Sequence, residues 1–121
     1  MNRCVSSMNS VTLRTNTASH SHFEFLGQTD CTVQTLDLAH EIVRTANRNN
    51  LGLVIDSFHF YAGGSTIDMI EALDPRLLAV FHINDAEDRP REELNDSHRL
   101  LPGLGNSSST RNDRSVRSDW L

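Results

Sequence analysis

Residues 51–55, Leu-Gly-Leu-Val-Ile, limit what this chain can fold into more than any other stretch. The run is apolar at every position, too short for a helix with a buried stripe, and rich in residues that suit a pleated surface. It predicts a strand buried on both faces, the pattern of parallel sheets. Residues 77–83, Leu-Leu-Ala-Val-Phe-His-Ile, repeat it. Between the two, Gly63-Gly64 predicts a loop, Ser65 or Thr66 a helix cap, and Asp74-Pro75 a stop. Residues 51–84 thus read as a βαβ unit with a right-handed crossover.

A third strand is expected upstream at Phe23-Glu24-Phe25-Leu26-Gly27, where alternation turns both phenylalanines one way and Glu24 the other. Thr32 or Thr35 offers a cap to a helix ending near Asn47. Its apolar stripe is Leu36, Leu38, Ala39, Ile42, Val43 and Ala46, with Asp37, Glu41 and Arg44 outside. The order is β–α–β–α–β, an α/β pattern of parallel strands joined by helices.

Hydrophobic residues make up 37% of the 121-residue chain, and they are scarce at both ends. Residues 1–22 are expected to be a poorly ordered lead-in, 23–105 the folded part, and 106–121 a disordered or frame-shifted tail. A formal charge of −5 lacks the basic footprint that nucleic acid rewards, so no nucleic-acid partner is expected. No run reaches the ~18 apolar residues of a membrane span. The N-terminus has no apolar core of a secretory signal, and a cytoplasmic location is expected. Cys4 and Cys31 show no metal-ligand spacing and read as free thiols.

The chemistry lies at the strand ends. Glu24, Asp56 and His82 each stand at the carboxyl end of one of three successive strands, the end at which βα loops converge in barrel enzymes. Two carboxylates and an imidazole suit a divalent cation such as Mn²⁺, Zn²⁺, Co²⁺ or Mg²⁺. A cation so held can clamp adjacent oxygens of a hydroxy-ketone and stabilise an enediolate, with Glu24 carrying the proton. His59, in the loop after Asp56, and Arg89, in the loop after His82, are candidates to bind a substrate hydroxyl or oxyanion. The plainer reading is that Asp56, just after a buried strand, serves only as a helix cap.

Three segments in order, FEFLGQTDCTVQT, HEIVRTANRNNLGLVIDSFHFYAGGS and FHINDAEDRPREELNDSHRLLPGLG, resemble the sugar-phosphate isomerase/epimerase family of xylose isomerase-like TIM barrels. Within it they are most similar to the branch that isomerises a keto-inositol in inositol catabolism. The resemblance covers residues 23–105. It implies a partial (β/α)8 TIM barrel, about strands five to seven with their helices, and a metal held by Glu24, Asp56 and His82. It further implies that Glu24 acts in acid/base catalysis, that His59 and Arg89 bind substrate, and that the substrate is a small cyclitol or sugar. The family's fourth ligand, a glutamate on an eighth strand, has no counterpart after Gly105. The chain is therefore expected to be a truncated isomerase, with a non-catalytic remnant that binds metal weakly as the alternative.

Overall fold

In the computed structural model, which describes residues 19–105, three strands form one parallel sheet. They are β1 (Ser21–Glu24), β2 (Leu51–Asp56) and β3 (Leu78–His82), with β2 in the middle. Phe23 lies opposite Leu53, Glu24 opposite Val54, and Asp56 opposite His82. The β2–β3 register shifts once, Leu53 pairing with Leu78 but Val54 with Val80, so Ala79 is the extra residue of a bulge.

One long helix, α1 (Leu36–Ala46), joins β1 to β2. Thr35 occupies its N-cap with extended backbone, but the hydroxyl turns to the Asp37 carboxylate instead of a helix N–H. The first helix N–H, that of Leu36, is met from across the fold by Ser65 Oγ at 3.1 Å. Asn47 ends the helix in the left-handed conformation, φ 47°, and donates its N–H to Val43 O. Leu36, Ala39 and Val43 are buried, whereas Leu38, expected in the stripe, is 50% exposed. Leu38 follows Leu36 by two positions, roughly 200° around the helix axis, which turns it to the far side.

The main core lies between α1 and one face of the sheet. Phe23, Phe25, Leu51, Leu53 and Ile55 meet Leu36, Ala39, Val43 and Leu73 there. Because strand residues alternate, that packing turns Glu24, Val54 and Asp56 to the opposite face, and the register brings His82 alongside them.

Two helices, not one, separate β2 from β3. The expected segment after Gly63-Gly64 is α3 (Ile67–Glu71), but α2 (Ser57–Ala62) begins directly at the end of β2, where a loop was expected. Asp56 is its cap, accepting from Phe58 N at 2.8 Å. The aromatic residues Phe58, Phe60 and Tyr61 favour strands by propensity. Tertiary packing overrides that, since Phe58 and Ala62 bury themselves against Ala86 and Leu94 in a second cluster.

β3 is an edge strand, and the double burial read from its sequence holds only for β2. Leu78 and Phe81 are exposed and the neighbouring Ile83 is 62% exposed. Beyond it, β4 (Asp85–Ala86) and β5 (Arg99–Leu100) pair antiparallel, joined through the charged stretch and two 3-10 turns, Arg91–Glu93 and Asp96–His98. A further turn at 101–104 is closed by Leu104 N donating to Leu101 O.

Most of the expected lead-in and all of the expected tail lie outside the described residues. The lead-in boundary at 22 is nonetheless late, as β1 already starts at Ser21. Cys31 is disulfide-bonded, so the free-thiol expectation fails there; distance along a chain sets no limit on distance in space. Among the described residues no helix is long and apolar enough to cross a membrane.

Candidate active site

Asp56 has two jobs. Its Oδ1 starts α2 through Phe58 N, and its Oδ2 accepts from Asn84 Nδ2 at 2.8 Å. Asn84 is itself pinned by Ser57, whose Oγ donates to Asn84 O at 2.6 Å and accepts from Asn84 N at 2.8 Å. The carboxylate is thereby fixed in orientation while each oxygen keeps a lone pair for a further partner.

Glu24, half-buried at the end of β1, has its carboxyl held above the ordinary glutamate range. Burial is the main cause and the negative charge of Asp56 the second, with His82 and Arg99 pulling the other way. Two carboxylates this close, each disfavouring the other's charge, form the arrangement that a cation relieves.

His59 is fully buried on α2. Its Nδ1 accepts the backbone N–H of Gly27 at 3.3 Å. That bond depends on a close approach of two glycines: a Cβ on Gly27 would lie 2.2 Å from His59 O and 2.4 Å from Gly63 N, and one on Gly63 would lie 2.0 Å from Gln34 O. Burial lowers the proton affinity of the imidazole, and the Arg99 charge acts in the same direction against the opposing pull of Asp56 and Asp96. The ring is therefore neutral at pH 7, and its 3.6 Å contact with Asp96 Oδ1 is not an ion pair.

A neutral imidazole has one acceptor nitrogen. Gly27 N–H points at Nδ1, and Arg99 Nη2 lies 3.0 Å from Nε2, so the two donors compete for it. The backbone N–H cannot turn away, while the guanidinium is a third exposed and carries five N–H groups to redistribute. The Gly27 bond alone would put the proton on Nε2, whereas the Arg99 contact, shorter and from a cation, would put it on Nδ1.

One ligand-capable atom from each of Glu24, Asp56 and His59 lies within 4.8 Å of the others. Glu24 and Asp56 thus come together as the sequence suggested. His82 is exposed, stands beside Asp56 in the register, and is near enough to act electrostatically on Glu24, but it is outside this convergent group. Both ring nitrogens of His59 face donors, Gly27 N–H at Nδ1 and Arg99 Nη2 at Nε2, whereas a metal-bound histidine donates from its other ring nitrogen.

Arg89 does not reach these residues. Its Nε pairs with Glu87 Oε2 at 2.6 Å on the surface. The cation at the site is Arg99, carried in by β5, with Nη2 3.7 Å from Asp56 Oδ2 and 3.3 Å from Asp96 Oδ1 and the guanidinium 5.3 Å above the Phe58 ring. Reading the sequence missed Arg99, because the pairing of Ala86 with Arg99 rests on strands of two residues that leave no alternation to detect. It noticed Asn84 but gave it no role; a short polar side chain just past a strand end was the available signal.

The residues fit a divalent cation. The donor set is two neighbouring carboxylates with an imidazole on the adjacent strand.

Residues 16–110 match the family model described as xylose isomerase-like TIM barrel. Over 82 residues, 68% of this chain, the sequence is 49% identical to the inosose isomerase of Bacillus subtilis (strain 168) and covers 30% of that protein. The inosose isomerase of Halalkalibacterium halodurans is 45% identical over the same share of this chain, which covers 29% of it. A crystal structure of the IOLI protein with a bound zinc atom superposes with a TM-score of 0.70 at 42% identity, over 81% of this chain and 34% of that one. The chain spans about 30% of the length of the curated relatives it matches.

Proposed function

The chain belongs to the xylose isomerase-like TIM barrel family, its three parallel strands being part of that barrel, and from this premise we propose that it carries catalytic groups of a metal-dependent isomerase acting on a cyclic polyol ketone of the inosose type. The observation that carries the proposal is the approach of the Glu24 and Asp56 carboxylates at the carboxyl ends of β1 and β2, with His82 opposite Asp56 in the register. Identity of 45–49% with inosose isomerases supports the substrate class.

Glu24, Asp56 and His82 would hold a divalent cation, and zinc is supported by the zinc-bearing IOLI structure. When bound, the cation supplies a Lewis acid that polarises a carbonyl and its neighbouring hydroxyl. Glu24, whose carboxylate stands beside Asp56, would take the proton from the carbon bearing that hydroxyl and return it to the former carbonyl carbon, the hydroxyl proton passing to the former carbonyl oxygen. His59 presents Nε2 to a substrate oxygen, its orientation fixed by Gly27. Arg99, in the place first assigned to Arg89, faces an oxygen that gains negative charge.

The test is zinc titration by calorimetry together with inosose turnover by the full chain, repeated with Glu24→Gln. Stoichiometric binding with turnover that Glu24→Gln reduces at least ~100-fold is expected of a general base. Binding without turnover would leave the non-catalytic alternative.

A further inference from the structure

Asp85 is fully buried and takes no part in the group around Asp56. Its carboxylate faces backbone donors: Oδ2 accepts from Gly105 N at 2.8 Å and from Gly103 N at 3.2 Å, while Oδ1 accepts from Ala86 N at 2.9 Å. The turn at 101–105 is thus drawn back onto the start of β4. Gly105 is required for that approach, since a Cβ there would lie 2.1 Å from Ala86 O and 2.7 Å from Asp85 Oδ1.

Leu101 and Leu104 are 71% and 69% exposed, so apolar burial does not fasten this turn. β4 and β5 have two residues each, too few to be stable by pairing alone. Yet β5 supplies Arg99, which is only partly buried and must be delivered to within 4 Å of Asp56 and His59.

We propose that Asp85 is a positioning residue: by binding the 103–105 backbone it fixes β5 and so holds the Arg99 guanidinium over Phe58 beside Asp56 and His59. A buried carboxyl group that accepts from three N–H groups at 2.8–3.2 Å fixes direction as well as distance. The same loop without the clamp would leave Arg99 on a two-residue strand free to swing toward solvent. This inference rests on the proposed role of Arg99 as the substrate-facing cation.

The experiment is a double-mutant cycle on the full chain, Asp85→Asn with Arg99→Met, read in two ways. In turnover of inosose, Asp85→Asn alone is expected to lower kcat/KM about tenfold or more, and less than about twofold when Arg99→Met is already present. Additive losses would mean that Asp85 acts on general stability, and would overturn the proposal. The second readout needs no activity: nuclear Overhauser contacts between the Arg99 side chain and the Phe58 ring, with amide exchange at Gly103 and Gly105. Asp85→Asn is expected to erase those contacts and to speed exchange at both glycines while the Phe25–Leu53 core signals stay unchanged. Retention of the Arg99–Phe58 contacts would overturn the proposal. If the wild-type chain shows no turnover, the proposed function fails and the contacts alone decide the role of Asp85. If Asp85→Asn does not fold, Gly105→Ala strikes the same clamp from its other side without altering a buried charge, and the same contacts must be lost.

Discussion

Gly27→Ala tests the link between fold and site most directly. The added Cβ would meet His59 O at 2.2 Å and Gly63 N at 2.4 Å, both main-chain atoms that no rotamer change can move. The β1–α1 loop must therefore shift away from α2 by on the order of 1 Å, an overpacking strain of about 1–3 kcal/mol. The shift also stretches the 3.3 Å bond from Gly27 N to His59 Nδ1, leaving buried groups short of a partner at about 1–3 kcal/mol more. The sum, about 2–6 kcal/mol, is a large part of the 5–15 kcal/mol of a typical domain. With a urea slope of about 1.5 kcal/mol/M, a loss of about 3 kcal/mol lowers the unfolding midpoint by about 2 M. Circular dichroism at increasing urea measures the midpoint, and nitrogen NMR of His59 reports which ring nitrogen carries the proton. A midpoint within about 0.3 M of wild type, with an unchanged His59 spectrum, would refute the close glycine contact and the hydrogen bond that rests on it.

Leu53→Ala empties the centre of the main core, where Leu53 is fully buried, and should cost about 2–5 kcal/mol in the same urea experiment; a loss below about 1 kcal/mol would refute the core as described. The raised proton affinity of Glu24 means that the folded chain holds this proton more tightly than the unfolded one. Glu24 therefore lends stability as pH falls through its raised value, and lowers it once ionised above that value. In chelator, Glu24→Gln should gain on wild type in melting temperature as pH rises from below the ordinary glutamate value to above the raised one, and a difference that stays constant with pH would contradict the assigned burial. Asn84→Ala frees Asp56 Oδ2 from its 2.8 Å partner and should weaken zinc binding about 10–100-fold by calorimetry, with unchanged affinity arguing against Asn84 as its orienting group.

Much of the fold was legible because periodicity carries it. The two apolar runs became β2 and β3, and alternation around Glu24 placed Phe23 and Phe25 in the core as expected. What could not be read was decided by contacts between distant residues. Ser57–Ala62 has the composition of a strand and becomes a helix only because Asp56 caps it and Phe58 finds Ala86 and Leu94. Leu36 takes its first helix partner from Ser65, which no local window would show. At the site, Glu24 and Asp56 followed from position at strand ends, whereas the exchange of Arg89 for Arg99 turned on a hairpin of two-residue strands. The helix cap and the ligand stood as rival readings of Asp56; the cap is present on Oδ1, and Oδ2, which accepts from Asn84, keeps a lone pair for a further partner.

That division of labour at Asp56 has an evolutionary consequence. Asparagine and serine cap helices about as well as aspartate, and asparagine is one base change from it. A lineage that replaced Asp56 by either would keep α2, and with it the packing of Phe58, while losing the negative charge next to Glu24. Selection for the helix cap alone would not see the change. Among relatives of this chain, the residue at this position therefore separates descendants that kept the chemistry from those that inherited only the scaffold.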